Sequence, residues 1–121
     1  MAVLNGEPGR EPVQDALDQG ASIGAINLAE VITKLVERGL DRETVHAALN
    51  AFPLIVVPFD EELAYRAGLL RAATRTAGLS LGDRACLALA ERLSLPAMTA
   101  DRAWATLQLD ARFDIQVDVI R

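Results

Sequence analysis

Two stretches in the C-terminal half of the chain decide its predicted fold: LSLGDRACLALA at residues 79–90 and PAMTAD at residues 96–101. The first predicts a helix, because Ser80 is a favourable N-cap residue, Asp83 follows it by three positions, and an apolar face comes after. The second predicts a short strand that ends at the carboxylate of Asp101. If this strand packs beside the helix, Asp83 and Asp101 come together at one edge of a sheet.

Composition and charge narrow the class of protein. The chain has 121 residues, 51% of them hydrophobic and 24% charged, which fits one compact domain and excludes a disordered chain. Its net charge of −5 argues against a protein that binds nucleic acid through a broad basic surface. The same charge suits a basic protein partner or a site that gathers cations.

The expected compartment is the cytoplasm. Cys86 is the only cysteine, so neither an internal disulfide nor a zinc cluster built on thiolates is possible. The N-terminus has no basic segment followed by an apolar one, as a signal peptide would. No apolar run approaches the roughly 20 residues that span a bilayer. We therefore expect a cytosolic protein with no membrane contact.

Short strands alternate with helices along the chain, which is typical of an α/β fold with a parallel sheet covered on both faces. The strands are predicted at residues 21–26, 54–57, 97–99 and 115–120. The helices are predicted at residues 10–19, 28–38, 41–51, 60–76 and 80–93, with a short helical turn at 101–107.

Three carboxylates, those of Glu30, Asp83 and Asp101, lie just beyond a predicted strand or in the first turn of a helix. Ligands of an open parallel sheet bind outside the carboxyl ends of its strands, where such loops converge. Carboxylates held close together repel one another unless protons or cations intervene. An all-oxygen pocket suits magnesium or manganese, and a metal held there could activate water against a phosphodiester.

Helix capping is an equally simple explanation of the same residues. Both Asn27–Glu30 and Ser80–Asp83 match a capping box, worth about 1 kcal/mol of helix stability, and Asp101 is a good N-cap. The two interpretations do not exclude each other, since a capping residue can also face a metal.

Three motifs together resemble those of PIN-domain ribonucleases, specifically VapC-like toxins of type II toxin–antitoxin systems. The motif NLAEV at residues 27–31 is similar to the second acidic motif of the family, LSLGDRACLA at 79–88 to the third, and TADRAW at 99–104 to the fourth. The resemblance implies a single PIN-like domain over residues 1–121, with a three-layer α/β/α architecture and a short parallel sheet.

The same resemblance implies a function. Glu30, Asp83 and Asp101 would be the catalytic, metal-binding carboxylates, with Thr99 as a polar neighbour and Mg²⁺ or Mn²⁺ as the cofactor. The protein would hydrolyse RNA and be silenced by a cognate antitoxin that fills the acidic site. A homodimer is also implied.

One departure from the family pattern lies at the N-terminus. The family begins with a central strand that ends in an aspartate, followed by a small hydroxylated residue and a helix. Residues 1–9, MAVLNGEPG, look like the interior and end of that first helix. We therefore expect the strand and its aspartate upstream of Met1, a sheet without its middle strand, and weaker metal binding.

Three functions follow. The first is a metal-dependent endoribonuclease toxin. The second is a catalytically impaired PIN remnant that binds an antitoxin or dimerises without cleaving RNA, suggested by the missing aspartate and the net charge of −5. The third is a plain α/β domain with capped helices, which requires the motif matches to be coincidental.

Overall fold

The computed structural model describes residues 2–5, 20–99, 104 and 115–119. The strands in these ranges are β1 (Val3–Leu4), β2 (Ala21–Gly24), β3 (Leu54–Val57), β4 (Ala97–Thr99) and β5 (Val117–Val119). The helices are α1 (Ala25–Glu37), α2 (Arg42–Asn50), α3 (Glu61–Thr74) and α4 (Leu81–Leu93). The helix predicted at residues 10–19 and most of the turn predicted at 101–107 lie outside the described residues.

The five strands form one parallel sheet in the order β3-β2-β1-β4-β5. The short strand β1 is in the middle and pairs with a neighbour on each side. On one side the Val3 N–H donates to the Pro96 carbonyl at 2.8 Å, and on the other the Ser22 N–H donates to the Ala2 carbonyl at 2.9 Å. The predicted α/β fold with a parallel sheet is confirmed.

The prediction that the middle strand is missing was wrong. Val3 and Leu4, which the sequence pattern placed inside a helix, form that strand and are almost fully buried. An apolar run this short does not distinguish a helix from a strand by its periodicity. Pairing within the sheet makes these two residues a strand, because β2 and β4 would otherwise present unpaired backbone groups to each other.

Both faces of the sheet are covered by apolar side chains. Successive residues of a strand point to opposite faces, so Val3 enters a large core and Leu4 a smaller one with Ala21. Helix α4 contributes most to the large core, since the side chains from Ala85 to Ala90 are all buried. Cys86 and Trp104 are also buried in this core. The large core also contains Leu63, Ala67, Leu70, Leu79 and Ala97.

Side-chain caps form at the predicted starts of three helices, residues 41, 60 and 80. The Asp41 side chain accepts a hydrogen bond from the Thr44 N–H, and Asp60 accepts one from the Leu63 N–H. At α4 a full capping box forms, in which Ser80 accepts from the Asp83 N–H and Asp83 accepts from the Ser80 N–H. These bonds satisfy N–H groups that have no partner inside the helix.

Helix α1 starts differently from its prediction. It begins at Ala25, two residues before the predicted N-cap Asn27, and the N-cap residue Gly24 makes no side-chain bond. The predicted capping box of Asn27 and Glu30 is therefore wrong. The reason is that Asn27 is buried and its side-chain amide donates to the Gly82 carbonyl of α4.

None of the helices in the described ranges is long and apolar enough to cross a membrane.

Asp60 also joins two helices, and this predicts a pH dependence of stability. Arg92 near the end of α4 donates to both carboxylate oxygens of Asp60, at 2.8 and 3.0 Å. The Leu63 N–H, and then the Arg92 side chain, lower the pKa of Asp60. A carboxylate whose pKa is lower in the folded state than in the unfolded state stabilises the protein at pH values above its unfolded-state pKa, here near 3.8. This stabilisation is lost as the pH falls through the folded-state pKa.

We expect D60N to melt at a lower temperature than the native chain at pH 7, because the amide keeps the cap but loses the ionic bond. The difference should shrink as pH falls below 3.8, because the native carboxylate takes up a proton as pH passes through its lowered folded-state pKa. Thermal unfolding followed by circular dichroism over a series of pH values from 7 downwards measures this, with E43Q as a control for loss of an exposed charge. A difference of constant size over the whole series would contradict the ionic role of Asp60.

Candidate functional site

The carboxyl edge of the sheet brings Asn5 and Thr99 together. Asn5 directly follows β1 and Thr99 ends β4, and these strands are parallel neighbours. The Asn5 Nδ2 donates to the Thr99 Oγ1 at 3.2 Å. From β1 the chain passes to β2 on one side of the sheet, whereas β4 lies on the other side. Such a point, where the strand order reverses, is the usual ligand position in an open parallel sheet.

Asp83 faces the same point from the first turn of α4. Its Oδ1 accepts a hydrogen bond from the Asn5 Nδ2 at 3.1 Å, and its Oδ2 accepts from the Ser80 N–H at 3.0 Å. One carboxylate thus caps the helix and also faces the sheet edge. Its capping role is confirmed, and its role in metal binding stays a prediction.

Asn27 links the elements around this site. Its side chain is 1% exposed, and its Nδ2 donates to the Gly82 carbonyl at 2.9 Å and to the Asn5 Oδ1 at 3.2 Å. The same nitrogen lies 3.4 Å from the Glu30 Oε1. A chain of hydrogen bonds therefore runs from Glu30 through Asn27 and Asn5 to Asp83. It ties α1 and β1 to the first turn of α4.

Glu30 reaches the site because residue 82 is glycine. The Glu30 side chain is exposed on α1, and its carboxylate lies directly against Gly82. A Cβ atom built on Gly82 would lie 2.7 Å from the Glu30 Cδ, closer than real Cβ contacts. The absent side chain thus leaves the space in which the Glu30 carboxylate approaches α4, one residue before Asp83.

The position of Asp101 is outside the described residues. Its predicted pairing with Asp83 stays a prediction. The structure brings Glu30 and Asp83 to one end of the sheet, and Asn5 links Asp83 to Thr99 there.

Cys86 is next to this site but takes no part in it. It lies one turn after Asp83 and is fully buried. Burial raises the pKa of the Cys86 thiol, and the negative charges of Asp83 and Glu30 raise it further. Cys86 therefore stays a neutral thiol at physiological pH and packs as a core residue.

Arg84, which follows Asp83, is turned towards α3. Its Nη1 donates to the Ala67 carbonyl at 3.0 Å, and its Nε is buried.

The oxygen atoms at this site are of the kind that bind a hard divalent cation. Carboxylate oxygens of Glu30 and Asp83 and the hydroxyl of Thr99 are ligands that Mg²⁺ and Mn²⁺ accept. In the part of the chain that the structure describes, no three His, Cys, Asp or Glu side chains are close enough to hold a metal. The end of the central strand, where the family resemblance implies an aspartate, carries the neutral amide of Asn5.

The contacts that Asn5, Asn27 and Gly82 make at this site were not predicted from the sequence. A signal for Asn5 was present, because it is a polar residue directly after the short apolar run of residues 1–4. Asn27 and Gly82 gave no such signal, since their roles depend on contacts between residues 55 positions apart.

Comparison with known proteins points to one family. The model of the PIN domain family matches residues 1–108. A search of curated protein sequences finds no match.

Solved structures share the fold. A toxin–antitoxin complex from Klebsiella pneumoniae contains a chain with 21% identity and a TM-score of 0.67, covering 88% of this chain and 92% of that one. VapBC-5 from Mycobacterium tuberculosis gives 20% identity and a TM-score of 0.66, covering 98% of both chains. DNA-bound VapBC from Salmonella typhimurium gives 19% identity and a TM-score of 0.68, also covering 98% of both.

The contact between Glu30 and Gly82 predicts the effect of a methyl group at residue 82. In G82A the new Cβ should displace the Glu30 carboxylate, which is the flexible end of a side chain, and leave the backbone in place. We expect the free energy of unfolding to change by less than about 1 kcal/mol, because better helix propensity offsets the displacement. The NMR chemical shift of the Glu30 Cδ should change.

The matched control is G68A in α3, where an added Cβ meets no atom within 4 Å. This variant should stabilise the protein by up to about 1 kcal/mol and leave the Glu30 signal in place. An unmoved Glu30 signal in G82A, or a loss of several kcal/mol in chemical denaturation, would contradict the proposed contact.

Proposed function

The chain belongs to the PIN-domain family, and from this membership we propose that it is a metal-dependent endoribonuclease, the VapC-like toxin of a toxin–antitoxin pair. The observation that carries the proposal is the convergence of Glu30 and Asp83 at the carboxyl edge of the sheet, beside Thr99. The VapBC structures that share the fold support the assignment to toxins.

Glu30 and Asp83, with Asp101 by family resemblance, would hold Mg²⁺ or Mn²⁺. Such an ion supplies a Lewis acid that lowers the pKa of bound water and neutralises charge at a phosphodiester. The chain orients the carboxylates in advance: the Ser80 N–H fixes one oxygen of Asp83, and the space above Gly82 receives Glu30. Prior orientation of this kind reduces the reorganisation needed during reaction.

The proposed partners are RNA, a cognate antitoxin and a second copy of the chain. The net charge of −5 supports an antitoxin that presents basic groups to the acidic site. Support for a homodimer comes from Tyr65 and Leu69, which lie one turn apart on α3 and are each about two-thirds exposed. The cytoplasm is the proposed compartment.

A second function, favoured by Asn5, is a PIN domain that binds its antitoxin or dimerises without cleaving RNA. Asn5 places a neutral amide at the centre of the acidic site. A site with fewer negative ligands binds a divalent cation more weakly. Cleavage of RNA by the purified native chain separates the two functions.

We expect D83N and E30Q to lower Mg²⁺-dependent RNA cleavage by at least about a hundredfold, since loss of even an indirect metal partner costs 10–100-fold. The fold should survive D83N, because asparagine also accepts the capping bond from the backbone. Cleavage of a mixed single-stranded RNA pool, with and without EDTA, measures the effect. The control is E37Q, which removes an exposed carboxylate from the same helix as Glu30.

Native cleavage that persists in EDTA, or D83N cleavage at the native rate, would contradict the proposed metal-dependent site.

For the homodimer, we expect the native chain to have twice the mass of one chain in light scattering. L69E should shift it to the monomer, because a charge on the exposed apolar face of α3 opposes burial. The matched control V36E changes an exposed valine on α1 and should remain dimeric. A monomeric native chain, or a dimeric L69E, would contradict this surface.

A further inference from the structure

Both carboxylate oxygens of Asp83 already accept hydrogen bonds. The Ser80 N–H occupies Oδ2 as part of the helix cap, and the Asn5 Nδ2 occupies Oδ1 at 3.1 Å. Each carboxylate oxygen has two lone pairs, so a cation can bind Oδ1 while this bond remains, but it then lies next to the positively polarised N–H group of Asn5. The other oxygen, Oδ2, also carries a donor, the Ser80 N–H.

The orientation of the Asn5 amide is determined by its other contacts. Its Oδ1 accepts from the Asn27 Nδ2, and that nitrogen is itself held by the Gly82 carbonyl at 2.9 Å. Turning the Asn5 amide over would place its oxygen against the Asp83 oxygen and its nitrogen against the Asn27 nitrogen. Both new contacts would be repulsive, so the network fixes the donor towards Asp83.

We propose that Asn5 lowers the cation affinity of this site, because its N–H group donates to the Asp83 oxygen that faces the sheet edge and competes there with a divalent cation. The inference rests on the proposed function for the identity of the site as a metal centre. Asn5 is a positioning residue in this role. It holds Asp83 in the absence of a cation and contributes no negative charge when one binds.

The alternative side chains at this position have opposite consequences. A carboxylate would lie about 3 Å from Asp83, where two like charges repel unless a proton or cation lies between them. A cation would relieve that repulsion and gain a further ligand. An alanine would remove the competing donor and add no charge. The proposal therefore orders the cation affinities as N5D above N5A above the native chain.

Titration calorimetry of the full chain with MnCl₂ tests this order. We expect N5D to bind Mn²⁺ at least tenfold more tightly than the native chain, which corresponds to 1.4 kcal/mol. N5A should bind with an affinity between the two. The matched control N50D adds the same charge at an exposed residue of α2 and should bind like the native chain.

Thermal unfolding gives a second readout. Without metal, N5D should melt below the native chain, because it loses the bond to Asp83 and gains a neighbouring like charge. Saturating Mn²⁺ should raise the melting temperature of N5D more than that of the native chain.

Equal Mn²⁺ affinity of N5D and the native chain would overturn the proposal. So would weaker binding by N5A, since that result would make Asn5 a ligand and not a competitor. If N5D does not fold, the Mn²⁺ affinities of N5A and the native chain still test the proposal.

The expected order of Mn²⁺ affinities without any RNA cleavage would support the role of Asn5 and contradict the nuclease proposal. RNA cleavage without that order of affinities would support the nuclease proposal and contradict the role of Asn5.

Discussion

The structure depends on the pairing of a two-residue strand with both of its neighbours. Val3 and Leu4 join β2 to β4 through backbone hydrogen bonds near 2.9 Å and send their side chains into opposite cores. This pairing also places Asn5 at the carboxyl edge, between Asp83 and Thr99. Without β1 the sheet would separate into two pairs of strands, and the side chains at its edge would have no common centre.

The sequence allowed good prediction wherever a local interaction decides the structure. The starts of α2, α3 and α4 follow from Asp41, Asp60 and Ser80, because each side chain bonds an N–H only three residues away. The bounds of β3 and β4 were also predicted correctly, since their apolar runs are flanked by clear breaks such as Pro53, Pro58 and Pro96. The family resemblance predicts Glu30 and Asp83 in one site, and the structure has both carboxylates at the carboxyl edge of the sheet.

The predictions were wrong where the local structure depends on a residue far away in the sequence. Asn27 has the sequence signature of a helix cap, yet its amide bonds the Gly82 carbonyl 55 positions away, and α1 begins before it. Val3 and Leu4 have no local signal of their own and become a strand only between two others. The importance of Gly82 depends on the approach of Glu30, which no pattern in either segment encodes.

The hydrogen bonds that hold the candidate site together also stabilise the fold. Asp83 caps α4, Asn27 ties α1 to α4, and Asn5 joins both to the sheet. Membership of the PIN-domain family and the two converging carboxylates support a nuclease, while the Asn5 amide limits the negative charge available to a cation. The nuclease proposal and the proposed low cation affinity are thus two aspects of one hydrogen-bond network.

The most direct test of this network as the cation site is paramagnetic broadening in ¹H–¹⁵N NMR spectra during stepwise addition of Mn²⁺. The side-chain NH₂ signals of Asn5 and Asn27 and the backbone signal of Asp83 should disappear first, while the NH₂ signal of Asn50 persists. Broadening that begins elsewhere, for example at Glu61 and Glu62 in the first turn of α3, would contradict the assignment of the site.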